Sequence, residues 1–217
     1  MPILLGANQR RYSAFFEGIS VPVIMHFSTF LKFLTLDTGD KIRHLESYAT
    51  PGGFDYYRSS RDGVLQHSAH GRDRKSVAQD IAKTAAQNAA AHNVEIFEKS
   101  ADWLAKQSGV RVVPSRGVWP SPERCFSVHI EPEIGLEQAG KRRVLAVYPR
   151  REPRLNRDKA GAGVVLLQRA YKGTGIEEFG ILDAYGNKAY WVPTNVSAAL
   201  LDREIATIDA ELKRIMG

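Results

Sequence analysis

His129, Glu131 and Glu133, in the stretch HIEPEIG, are the side chains whose types and spacing come nearest to a metal centre. Alternate residues of a strand share a face, so an extended backbone here would project one imidazole and two carboxylates together. That set suits Mg²⁺, Mn²⁺ or Zn²⁺. Glu131 and Glu133 are then the candidate catalytic carboxylates, and His129 completes the candidate metal ligands. Pro132 favours the opposite expectation, because proline belongs at a strand edge or end, where charged residues face water. His67 and His70, in QHSAHG, lie three apart without a third ligand nearby and are expected in a loop. The single cysteine, Cys125, excludes an intrachain disulfide and a four-cysteine metal site. It is expected as a buried thiol, since His129 is four residues away and too far for direct contact.

A second kind of chemistry is electrostatic. Lys141, Arg142, Arg143, Arg150, Arg151, Arg154, Arg157 and Lys159 lie within nineteen residues, against Glu152 and Asp158, so this segment carries the whole net charge of +6. A localised excess of this kind is the footprint expected for a polyanion such as DNA or RNA, and a charged, solvated hairpin is the alternative. DKAGAG at 158–163 lacks the spacing of a phosphate loop, so Gly161 and Gly163 are expected to serve helix packing. The helix start beside them could still attract an anion through its free N–H groups. GGFDYYRSSRDG interleaves Phe54, Tyr56 and Tyr57 with Arg58 and Arg61, a mixture able to stack bases, or simply a loop folded onto the domain.

The elements that would position these groups follow from periodicity and punctuation. The spacing predicts a helix over 23–36 and a turn at Gly52 and Gly53. A long helix is expected from Ser76 and Gln79, read as a capping box, to a stop at Gly109, with His92 and Asn93 marking where it could break. Residues 125–130 and 143–148 read as paired antiparallel strands with a hairpin turn at 139–141. Asn156 should cap a helix to about Tyr171. FGILDAYGNKAYWV should form a strand, a turn at Gly186 and Asn187, and a second strand. From Ser197 a final helix carries the stripe Leu201, Ile205, Ile208, Leu212 and Ile215, which its own core or a partner must cover. A homodimer or protein partner through that stripe is the assembly alternative.

The stretch 19–36 is apolar but interrupted by Pro22, His26 and Lys32, so no membrane span is expected. Arg10 and Arg11 precede it, but Glu17 intervenes and no cleavage site follows, which argues against a signal peptide. With one cysteine, a cytoplasmic setting is the default expectation.

The order of long helix, strands, hairpin, helix and strand resembles the αβββαβ core of the restriction-endonuclease-like, PD-(D/E)xK, superfamily over roughly residues 75–192. The resemblance implies an α/β (α+β) fold with an N-terminal mixed helix and loop extension at 1–71, and a nuclease-like core with a C-terminal helix at 72–217. It implies that Glu131 or Glu133 stands for the first acid of the family. Ala146 and Tyr148 stand at the E-x-K positions, and neither side chain can hold a metal. The expected function is therefore nucleic-acid binding on a nuclease-like fold with a degenerate catalytic set. A Mg²⁺- or Mn²⁺-dependent nuclease using Glu131 and Glu133, and an assembly module, are the alternatives.

Overall fold

A computed structural model describes residues 23–49 and 55–216. Arg10, Arg11, Glu17, the turn at Gly52 and Gly53, and Phe54 lie outside the described residues. In chain order the elements are β1 (Val23–His26), α1 (Phe27–Phe33), α2 (Thr38–Glu46), α3 (Arg58–His70), α4 (Arg74–Thr84), α5 (Ala90–Ala105), β2 (Val110–Arg111), β3 (Gly117–Pro120), β4 (Phe126–Ile130), β5 (Ile134–Gln138), β6 (Lys141–Tyr148), α6 (Arg157–Ala170), β7 (Glu178–Asp183), β8 (Lys188–Tyr190) and α7 (Ser197–Met216). The class is mixed α and β.

Two sheets organise the described residues. Five strands run β2-β5-β6-β7-β8, antiparallel except for the parallel pair β6 and β7, and three run β1-β4-β3. Strand β6 occupies the centre because VLAVY is apolar at every position, the pattern of a strand buried on both faces. Val144, Ala146 and Tyr148 enter a core shared with α1, α6, α7, β1 and β4, whereas Leu145 and Val147 enter a second core against α3, α4 and α5. Residues on both sides of position 71 contribute to both cores: Val23 and Met25 join the first, and Val64 packs with Val77 and Ile81 in the second.

Several sequence expectations are corrected. The expected helix over 23–36 begins as a strand, because Val23–His26 pairs in parallel with Phe126–His129 of β4. The expected long helix divides earlier than His92, between α4 and α5, and its N-cap is Asp73, whose carboxylate accepts from the Ser76 N–H, rather than Ser76 itself. The loop expected through Gly63 becomes helical from Arg58. The hairpin turn at Ala139 and Gly140 forms, but β6 pairs with β5, while residues 126–130 belong to the smaller sheet. A run of β-branched residues specifies a strand without specifying its neighbour.

The later elements form as expected. The Asn156 side chain accepts from the Lys159 N–H at 2.9 Å and caps α6, and β7 and β8 form the final hairpin. On α7, Leu201, Ile205, Ile208 and Leu212 are buried in the first core and Ile215 packs partly against it. The stripe is thus covered by the chain's own core, the first of the two expectations, and not by a partner surface.

Candidate nucleic-acid interface

The alternation expected for His129, Glu131 and Glu133 stops where β4 stops, at Ile130, so the three side chains do not share a strand face. Glu131 turns to Arg116, 3.4 Å away near the surface. Glu133 turns inward: one carboxylate oxygen accepts from the Val147 N–H at 2.7 Å, and the other lies 3.6 Å from the Arg61 guanidinium. Strand β6 runs past the start of β5, so Val147 lacks a backbone acceptor there and Glu133 supplies one. Full burial pushes the Glu133 carboxyl up to about 7, against the opposing pull of Arg61. Arg61 is itself buried and also pairs with Asp55. Among the described residues no three His, Cys, Asp or Glu side chains are grouped to hold a metal ion. The metal set of His129, Glu131 and Glu133 is corrected accordingly, to a ladder cap, a surface pair and a histidine in register with His26 across the β1–β4 pair.

His26 counted in the sequence only as an interruption of the apolar stretch 19–36, not as a site residue. Its Nδ1 is buried without a hydrogen-bond partner, and desolvation, then Arg61, holds its pKa below the ordinary value. Ala146 and Tyr148, at the expected E-x-K positions, face apolar core, and the Tyr148 hydroxyl donates to the Pro153 carbonyl at 2.6 Å. His67 and His70 lie in the last turn of α3 rather than in a loop, and the His67 ring packs edge-on against Phe97. Cys125 is only partly buried, beside Glu123.

The eight cations divide by the length of β6. At its amino end Lys141 and Arg143 meet Glu178 at 3.5 and 2.8 Å, and Arg142 meets Glu137 at 4.0 Å. All three are therefore paired, sharing two carboxylates at the amino end of the central strand. Beyond the carboxyl end, Arg154 meets the exposed Glu152 at 3.4 Å, while Arg150, Arg151, Arg157 and Lys159 form no ion pair with any described carboxylate. Arg151, Arg154 and Arg157 are exposed. This end is also where the parallel strand β7 finishes, and open α/β sheets place ligands in the crevice outside the carboxyl ends of their strands. The start of α6 is less available than expected, since Asn156 occupies the Lys159 N–H and Asp158 stands in the first turn, bonded to Thr194 at 2.8 Å.

Aromatic side chains join the arginines at the same end. Tyr56 and Tyr57 pack edge-on at 4.9 Å between ring centres, and His92 contacts both and also Tyr185. The Arg150 guanidinium lies 4.8 Å over the Tyr57 ring, and Lys99 lies 5.5 Å over Tyr185. The sequence picked out the two tyrosines but not His92, Tyr185 or Lys99. His92 and Lys99 stand on α5 and Tyr185 in the turn between β7 and β8, and no spacing rule links that turn, or the tyrosines before α3, to α5. Arg61, by contrast, was grouped with the stacking residues and is instead buried between Asp55 and Glu133.

Among the described residues no helix is long and apolar enough to cross a membrane. No family model matches the chain, and no curated protein matches it.

Proposed function

We propose that this protein binds nucleic acid by its phosphate backbone, through Arg150, Arg151, Arg154, Arg157 and Lys159 beyond the carboxyl end of β6. The observation that carries the reading is the division of the cationic segment: the half at 141–143 is matched by carboxylates, and the half at 150–159 is nearly unmatched. A protein that needed this charge only for solubility would gain nothing from gathering it unpaired at one end of a central strand pair. Tyr56, Tyr57, His92 and Tyr185 offer ring faces for unpaired bases beside it, a stacking mode that tolerates any sequence.

The order α5, β2, β5, β6, α6, β7 supports a restriction-endonuclease-like framework with β3 and β4 inserted into it. The absence of carboxylate and lysine at 146 and 148, and the structural use of Glu133, support binding without metal-dependent cleavage.

Replacing Arg151 and Arg154 by Ala tests the reading. Each phosphate neutralised on a duplex releases counterion, worth about 0.9 in the slope of log affinity against log salt, so the double variant should flatten that slope by roughly two units. Affinity should fall alike on unrelated sequences, because phosphate contacts carry no base information. Replacing Lys141 and Arg142 by Ala should change the slope far less. Equal slopes for both variants, or no wild-type binding at low salt, refutes the proposal; Mn²⁺-dependent cleavage by the wild type refutes its non-catalytic part.

A further inference from the structure

Beside the arginine end of β6, a cavity of about 220 Å³ opens between α1, α2 and the segment after β6, lined by Thr29, Lys32, His44, Ser47, Tyr48 and Arg150. Drug-sized ligands occupy pockets of roughly 300–1,000 Å³, so this one suits a small ion with some water. None of the residues that line it carries a carboxylate. The acid that acts on Lys32 and His44 is Asp40, which is paired with Arg43.

Three features mark the cavity as short of an anion. Lys32 Nζ stands 2.5 Å from His44 Nε2, a contact that requires the histidine nitrogen to accept and the ring to be neutral. Arg150 has its Nε buried without a hydrogen-bond partner. Burial first, then the neighbouring positive charges, holds both Lys32 and His44 below their ordinary pKa values. Like charges held together where they are partly withdrawn from water gain when a negative charge joins them.

We propose that this cavity binds one small oxyanion of the phosphate class, with Lys32 and Arg150 as its charged donors and His44, Tyr48 and Thr29 as polar partners. The ammonium moves its hydrogen bond from His44 to the anion, and the guanidinium gains the acceptor that its Nε lacks. The anion has two sources, free phosphate or the phosphorylated end of a nucleic-acid strand. The second source rests on the function proposed above and the first does not.

Titration calorimetry of the full chain with inorganic phosphate is the direct test, run beside 5′-phosphorylated and 5′-hydroxyl forms of one oligonucleotide. The expected result is one phosphate per chain, weakened roughly tenfold by Lys32→Gln or by Arg150→Gln, as the loss of one charge-assisted hydrogen bond predicts. Lys32→Arg should retain binding, and Lys172→Gln, which removes a charge from the exposed turn after α6, should leave it unchanged. Melting curves establish that each variant folds. A preference for the 5′-phosphorylated strand that disappears in Lys32→Gln identifies the strand end as the source; phosphate binding without that preference identifies the free ion. Phosphate binding with no oligonucleotide binding at all keeps the cavity and removes the nucleic-acid reading. No phosphate binding and no gain from the 5′ phosphate, or equal binding by the wild type and both Gln variants, overturns the cavity proposal and leaves backbone binding standing.

Discussion

Glu133 shows how one residue's role depends on where its strand ends. Three positions beyond the end of β4, its carboxylate enters the interior, where it accepts from Val147 and faces Arg61. Its folded pKa, raised from 4.5 to about 7, means that the native state holds a proton that the unfolded chain has already released. Stability from this group is therefore fully present below about pH 4.5, is lost as pH rises through about 7, and stays lost above it. Each tenfold change in proton affinity is worth about 1.4 kcal/mol, so the whole effect is roughly 3 kcal/mol. Glu133→Gln keeps an acceptor for the Val147 N–H and removes the titration, so urea midpoints for the variant should vary less between pH 5 and pH 8 than those of the wild type. Identical pH profiles would show that Arg61 holds the carboxylate charged throughout.

At the scale of elements, α6 is fixed by what its glycines let near it. A Cβ at Gly163 would collide with Leu31 of α1 and Ile181 of β7, and one at Gly161 with Ser197 at the start of α7. In an exposed helix, glycine to alanine gains up to about 1 kcal/mol. Here overpacking reverses the sign, and Gly163→Ala should destabilise by about 1–3 kcal/mol, read as a lower denaturant midpoint with an unchanged slope. Gly140 in the hairpin turn meets nothing within 4 Å, but its φ of +75° makes alanine strained there for a conformational reason. A Gly163→Ala variant as stable as the wild type would mean that α6 can shift away from the sheet.

For the whole molecule, α7 is part of the fold and not an appendage. Ile208 has 0% of its surface exposed and lies in the core that holds α1, α6, β1 and β4. Ile208→Asp should therefore unfold the protein, because an unpaired carboxylate buried in that core adds to the loss of the apolar side chain, and truncation before Ser197 should yield insoluble chain. Far-UV circular dichroism and gel filtration decide this: a folded, soluble Ile208→Asp monomer would show that the stripe is covered by a second copy instead.

Local pattern was sufficient for α6 with its Asn156 cap, for β7 and β8, for the apolar stripe of α7 and for the packing role of Gly161 and Gly163. In each of these the signal lies within a few residues and sets a backbone or a face directly. Strand partners were not legible in the same way. β4 and β5 both offer apolar, β-branched residues before β6, and only the assembled sheets show that β5 takes the hairpin while β4 joins β1 from a hundred residues earlier. The basic segment was visible as composition, but which of its cations are neutralised depended on Glu137 and Glu178 arriving beside Lys141–Arg143 through strand pairing. Lys32, His44 and Arg150 had no shared spacing at all, being carried on two helices and a loop. Charge and periodicity are properties of neighbouring residues, whereas neutralisation and enclosure are properties of neighbouring elements, and only the tertiary structure decides those.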